Sequence, residues 1–144
     1  MTMNELLTFA GNNQLLSMIW VAIVIMIVVF SIKIKLSPIK QLNPQELTLL
    51  VNREDGVVLD IRSEKEYKNS HITDAVSLSA EKQKQNDFAS LEKYKDKPII
   101  VVCTSGMAAS KVANELHKAG YLKVSLLKGG MNTWVNASLP VHKK

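Results

Sequence analysis

The chain has 144 residues, a mass of 16.0 kDa and a mean hydropathy of +0.04, which points to one compact domain and excludes a disordered chain. Its formal net charge of +5 is divided: residues 1–40 hold three Lys and one Glu, and residues 41–144 hold 15 basic and 12 acidic groups. The second excess is mild and interspersed, without a basic stripe carrying interleaved aromatics, so nucleic-acid binding is not expected. There is one cysteine, Cys103, which rules out an intramolecular disulfide and suits a reducing compartment.

Residues 1–14 read as a short tail without Lys or Arg. Leu15 to Ile32 then contains no charged residue, Gly or Pro. As a helix these residues would be about 27 Å long, close to the ~30 Å hydrocarbon core of a bilayer. Apolar residues cover the whole circumference, unlike a soluble core helix with one apolar face. The missing basic n-region and the lack of a small-x-small cleavage site argue against a signal peptide. A single transmembrane helix over 15–32 is therefore expected. Lys33, Lys35 and Lys40 follow it, so the positive-inside rule puts the tail outside and the C-terminal part in the cytoplasm. The same lysines can sit against anionic headgroups. Residues 33–41 read as a basic juxtamembrane linker, broken by Ser37-Pro38.

The part from residue 42 alternates between two periods. Asn43-Pro44-Gln45-Glu46 opens a helix reaching about Asn52, with Asn as N-cap, Pro at the first position and Glu at the third. Val57 to Ile61 is a buried strand. Ser63-Glu64-Lys65-Glu66 is a capping box for a short helix. Ala75 to Ser79 is a weaker strand, and 80–87 a polar surface loop before a helix over Asp87 to Lys93. Ile99 to Val102 is the clearest strand. Ala108 to Lys118 is amphipathic, with Val112, Ala113 and Leu116 on one face and Gly120 as its stop. Val124 to Leu127 is a strand, Gly129-Gly130 a turn and Met131 to Asn136 a last helical turn. Strands that are apolar throughout and alternate with helices predict a parallel sheet covered on both faces.

Ligand sites of such sheets lie at the carboxyl ends of the strands, and Cys103 follows Val102 there. In Cys103-Thr104-Ser105-Gly106-Met107-Ala108 the thiol would face the first N–H groups of the next helix, which favour an anionic sulfur, as thiolate or as persulfide. Gly106 lets the loop curl tightly enough to aim those groups inward.

From about Leu42 onward, the ordered set of motifs resembles a single-domain rhodanese, a sulfurtransferase family. The motifs are Val58-Leu59-Asp60-Ile61-Arg62, Glu66-Tyr67, His71-Ile72-Thr73-Asp74-Ala75, the Cys103 to Met107 loop, Gly129-Gly130-Met131 with Trp134, and Leu139-Pro140. The resemblance implies a Rossmann-like, three-layer α/β domain over 42–144 with a central parallel sheet. It also implies that Cys103 takes sulfane sulfur as a persulfide and that Thr104, Ser105, Gly106, Met107 and Ala108 form an anion-binding loop. Asp60 and Arg62 would support the site. One membrane span before one such domain resembles a class of bacterial inner-membrane rhodaneses.

There is one departure. Many members carry an Arg two residues after the loop Gly, where this chain has Ala108. That disfavours phosphatase chemistry and leaves no cation inside the loop for thiosulfate. Lys111, the nearest, reads as a solvated helix residue. By charge alone, Arg62 could pair with Glu66 one turn on. His71 reads as structural, His117 and His142 as surface groups, and Trp134 as a core anchor. No His/Cys cluster has metal-ligand spacing, so neither metal nor cofactor is expected. The expected partners are a sulfane-sulfur donor, a thiol or cyanide acceptor, and the lipid bilayer. The alternative reading is a non-catalytic rhodanese-fold module that docks other membrane proteins.

Overall fold

The computed structural model describes residues 2–35 and 38–144; Ser37 of the expected helix break lies outside them, as do the side chains of Lys33 and Lys35. The chain divides into one unit ending at Pro38 and a second from Ile39 to Lys144.

In the first unit, helix α1 (Met3–Asn12) precedes helix α2 (Gln14–Lys35). Residues read only as a tail are thus helical. The physical reason is a capping box: the Glu5 amide donates to Thr2 Oγ1, and the Thr2 amide donates to Glu5 Oε2 at 2.7 Å. Within α2, Gln14–Ile32 is long and apolar enough to cross a membrane, and none of it is buried by protein.

The second unit is a five-stranded, all-parallel sheet. Its strands are β1 (Lys40–Leu42), β2 (Val57–Asp60), β3 (Val76–Ser77), β4 (Ile99–Val102) and β5 (Val124–Leu127), in the spatial order β1-β5-β4-β2-β3. The strand Lys40–Leu42 was not anticipated: three residues flanked by Pro and polar groups carry no period, and pairing with β5 alone makes them a strand. Residues of β4 alternate across the sheet. Ile99 and Val101 face one core with Leu59, Leu91, Leu116 and Cys103, and Ile100 and Val102 face another with Val58, Leu47, Met131 and Trp134. All four side chains of β4 are buried, each contributing ~1.5–3 kcal/mol.

Helices α3 (Pro44–Glu54), α4 (Glu64–Asn69), α5 (Ala80–Gln85) and α6 (Met107–Lys118) connect the strands, and α7 (Gly130–Asn136) follows the last one. The boxes expected at Asn43/Glu46 and Ser63/Glu66 are formed, with both reciprocal bonds in each. Helix α6 buries Ala109, Val112, Ala113 and Leu116, a stripe at three- and four-residue spacing. It stops at Gly120, which takes φ +97°; the amides of Gly120 and Tyr121 close back onto the carbonyls of His117 and Leu116.

Two expectations need correction. Residues 80–85 are the helix α5, not a loop. Ser79 caps it, and Gln83 Nε2 ties it down by donating to the carbonyls of Ile61 and Leu78 at 2.9 and 2.7 Å. That anchor is polar, so it leaves no hydrophobic period to read. The helix expected over Asp87 to Lys93 is a 3-10 helix, Ala89–Tyr94. Asp87 Oδ1 accepts from the Ala89 amide at 3.1 Å as it starts.

Candidate active site

Strand β4 ends at Val102, and Cys103 stands at its carboxyl end, only 5% exposed and packed within the first core. The chain then turns through Thr104 and Ser105, both exposed, to Gly106. Gly106 has φ +90° and begins α6. Its N–H donates to Cys103 Sγ at 2.9 Å. A residue with a side chain would meet the backbone of Gly129 at 3.0 Å here, besides the left-handed φ, so the turn that aims this amide at the sulfur requires glycine. Met107 is 83% exposed and Ala108 is exposed, so both lie at the rim. Lys111 is exposed as well.

The loop rests on the start of α7. Met131 N–H donates to the Cys103 carbonyl at 2.8 Å, and Asn132 N–H to the Thr104 carbonyl at 3.1 Å. The two backbones approach closely because of Gly130. A Cβ there would lie 2.2 Å from the Cys103 carbonyl oxygen and 2.8 Å from the Gly106 nitrogen. With its carbonyls held from below, the loop turns an amide toward the sulfur. Reading Gly129-Gly130 as a turn, and as part of a motif with Met131 and Trp134, did not disclose this seat under the cysteine loop; the signal was two consecutive glycines directly before an apolar helix.

A second tie comes from α4. Thr104 Oγ1 donates to Glu66 Oε1 at 3.1 Å, while Glu66 Oε2 accepts from the Ser63 hydroxyl at 2.6 Å. The Ser63 hydroxyl is the main cause holding the Glu66 carboxylate below the usual carboxylate range, and Thr104 acts in the same direction. The same bonds favour its ionised form, the one that accepts from the loop. In the sequence it is legible as a helix cap, but not as a loop anchor, because a carboxylate's second oxygen leaves no trace there.

Asp60 and Arg62 form their own network. Asp60 is 1% exposed and faces Val102 across the β2–β4 register. Arg62 Nη2 reaches Asp60 Oδ2 at 2.6 Å and the Ser70 carbonyl at 2.6 Å, and Arg62 Nε reaches Asp60 Oδ1 at 3.0 Å. The salt bridge is thus with Asp60 and not with Glu66, because a buried carboxylate two residues away offers a two-pronged partner at the end of the same strand. Among the described residues, no hydrogen bond joins either side chain to the cysteine loop; the link is backbone, Ile61 N–H to the Val102 carbonyl at 3.0 Å.

The remaining residues have packing roles. His71 is buried, stacks on Tyr67 with ring centroids 4.1 Å apart, and shares a hydrogen bond with the Tyr67 carbonyl through Nδ1. His142 pairs with it through backbone, and His117 is half-buried. Trp134 is 4% exposed and donates Nε1–H to the Pro140 carbonyl at 3.0 Å. Among the described residues, no group of three or more His, Cys, Asp or Glu is arranged to hold a metal.

The family described as the rhodanese-like domain matches residues 43–137. An uncharacterised Escherichia coli K12 protein, YibN, is 38% identical over 139 residues, which make up 96% of this chain and 97% of that protein. Thiosulfate sulfurtransferase GlpE of Coxiella burnetii is 35% identical over 100 residues, 66% of this chain and 86% of its own length. Among solved structures, a rhodanese-related protein from Thermoplasma volcanium has a TM-score of 0.64 at 22% identity, covering 73% of this chain and 99% of its own, a likeness of fold. A rhodanese-like domain from Anabaena has a TM-score of 0.63 at 27% identity, covering 72% and 79%.

Gly130→Ala tests the seat. The left-handed backbone alone costs ~1–2 kcal/mol for a residue with a Cβ, and the 2.2 Å overlap forces the loop away. Thermal unfolding should shift downward, and hydrogen exchange should speed up at the Met131 and Asn132 amides. Unchanged stability and protection would show that the loop does not depend on this contact.

Proposed function

This chain belongs to the rhodanese-like domain family, and from that premise we propose that it is a membrane-anchored sulfurtransferase or sulfur carrier working through Cys103. The Cys103 thiolate attacks the outer sulfur of a sulfane donor. The donor's sulfur–sulfur bond breaks, and its electron pair leaves with the donor remnant, which is sulfite when thiosulfate is the donor. Cys103 then holds one extra sulfur as a persulfide anion. An acceptor thiolate or cyanide attacks that outer sulfur, and the Cys103 thiolate is regenerated. No other cysteine exists to resolve the persulfide, so release goes to an external acceptor. The observation that carries the reading is the Gly106 N–H on Cys103 Sγ at 2.9 Å, an amide already aimed at the atom that bears the charge.

Thr104, Ser105, Met107 and Ala108 complete the loop around the anion, and Asp60 and Arg62 support it at a distance by fixing the end of β2 beside β4. The helix Gln14–Ile32 anchors the protein in the bacterial inner membrane, and Lys33, Lys35 and Lys40 retain residues 42–144 in the cytoplasm.

Three measurements test this. In the first, the full chain in detergent is exposed to thiosulfate and, separately, to a polysulfide, and its intact mass is read. The parent should gain one sulfur, and folded Cys103→Ser should gain none; equal uptake by both would end the reading. In the second, Ala108→Arg adds a full charge and a planar donor fork at the loop's rim. A charge-assisted hydrogen bond of ~1.5–3 kcal/mol should raise kcat/KM for thiosulfate about tenfold or more, with less effect on a persulfide donor that has no sulfonate. No change in a folded variant would mean that position 108 faces away from the donor. In the third, a reporter active only in the periplasm, fused after Lys144, should stay silent; strong activity would reverse the orientation.

A further inference from the structure

A parallel sheet has two unlike ends, and here lysines gather at the end opposite the cysteine. The strands start together: Val57 N–H donates to the Pro98 carbonyl at 2.7 Å, Ile99 N–H donates to the Lys123 carbonyl at 2.9 Å, and Lys40 lies in register with Ser125. Lys97 and Lys123, just before β4 and β5, and Lys40 at the start of β1 are exposed and form no ion pair among the described residues. Lys95 joins them. Its Nζ stands 5.9 Å from the centre of the Tyr121 ring, and its Cε would lie 3.5 Å from a Cβ on Gly120. Lys118 ends α6 just before the same turn. Of the acidic groups at this corner, Glu92 pairs with Lys95 at 3.6 Å and Glu115 with Lys118 at 3.0 Å, which leaves Asp96 against the unpaired lysines. The sign reverses across the sheet: the turns before β2 and β3 carry Glu54, Asp55 and Asp74 against Arg53. The basic corner is therefore that of β1, β5 and β4.

Leu122 belongs to that corner. It lies in the turn from α6 to β5, next to Lys123, with 77% of its surface exposed. The domain thus forgoes the gain from burying a leucine. An apolar side chain flanked by ammonium groups suits a surface that is anionic at its face and hydrocarbon just beneath, which is a phospholipid leaflet. Chain length brings such a surface within reach. Five residue steps separate Lys35, the end of α2, from Lys40, at most about 18 Å at ~3.6 Å each.

We propose that the β1–β5–β4 corner docks on the anionic leaflet through Lys40, Lys95, Lys97, Lys118 and Lys123, with Leu122 entering the acyl boundary. This rests on the membrane-anchor reading above. Docked in this way, β4 carries Cys103 up to about 13 Å further from the lipid, at ~3.3 Å per residue, and its loop faces water. Donor and acceptor then reach the sulfur from the aqueous side, and a sulfur compound dissolved in the bilayer does not.

The test uses the full chain in nanodiscs of phosphatidylcholine, alone or mixed with phosphatidylglycerol, and reads hydrogen exchange. In the mixed discs the segment from Gly120 to Lys123 should exchange at least about fivefold more slowly than in the neutral ones, the effect of one Lys near an anionic surface. Molar salt should remove the difference. The segment from Thr104 to Met107 should exchange alike in both. Lys97→Glu combined with Lys123→Glu should abolish the slowing, and Leu122→Ser should weaken it, with thermal unfolding in detergent near that of the parent. Lys65→Glu combined with Lys82→Glu, an equal change in charge on the helices after β2 and β3, should keep it. The proposal is overturned if the parent exchanges alike in both discs, if the control pair loses the slowing as the corner pair does, or if the cysteine loop is the part protected. A chain that high salt releases from the discs refutes the anchor itself, whereas a chain that stays without any slowing refutes the docking alone.

Discussion

Two backbone hydrogen bonds hold this site together: Met131 N–H to the Cys103 carbonyl and Asn132 N–H to the Thr104 carbonyl. A tight loop cannot aim its amides inward unless its carbonyls find donors elsewhere, because each buried polar group left unpaired costs ~1–3 kcal/mol. The start of α7 supplies those donors, and the bare Cα of Gly130 brings them within reach. Gly106 is then free to spend its amide on sulfur. The chemistry expected of Cys103 thus depends on a contact made by residues 27 to 29 positions further along the chain.

The sequence was most legible where burial and backbone patterning agree. Four consecutive β-branched residues at Ile99 to Val102 can only be a buried strand, and the stripe on α6 names its own buried face. The capping boxes at Asn43/Glu46 and Ser63/Glu66 were readable because side-chain oxygens and helix amides must meet at a fixed spacing, whereas the one at Thr2/Glu5 was passed over in a stretch read as a tail. Legibility failed where structure comes from long-range polar contacts. Gln83 pins α5 through carbonyls 22 and 5 residues away, and Lys40–Leu42 is a strand solely because β5 lies beside it. At the site, the cysteine, the glycine turn and the positions of Asp60 and Arg62 could be found in advance. The tie from Glu66 to Thr104 and the pairing of Arg62 with Asp60 could not, since each depends on which of several charges the fold brings within 3 Å.

Charge is distributed unevenly around the sulfur. The loop itself carries no cation, only amides and one helix end; the carboxylate of Glu66 meets it at Thr104, and the Asp60–Arg62 ion pair stands at the end of the neighbouring strand. A buried pair such as Asp60–Arg62 contributes little net attraction, but losing either member leaves a stranded charge costing ~3–5 kcal/mol. It therefore acts as a rigid post beside β4.

The sheet order has a consequence for synthesis. The first strand of the domain, β1, pairs with the last, β5, and the glycine that seats the cysteine loop follows β5 by only a few residues. Chains are made from the N-terminus, and non-local pairings must wait for their partner. A nascent chain would already contain Gln14–Ile32 and the thiol of Cys103 before β5 and Gly130 had emerged. Until then β1 has no neighbour and the cysteine loop has nothing beneath it. The cysteine loop is thus completed only after β5 and Gly130 have been made, and a chain truncated before residue 130 would carry the thiol without the contacts that hold the loop.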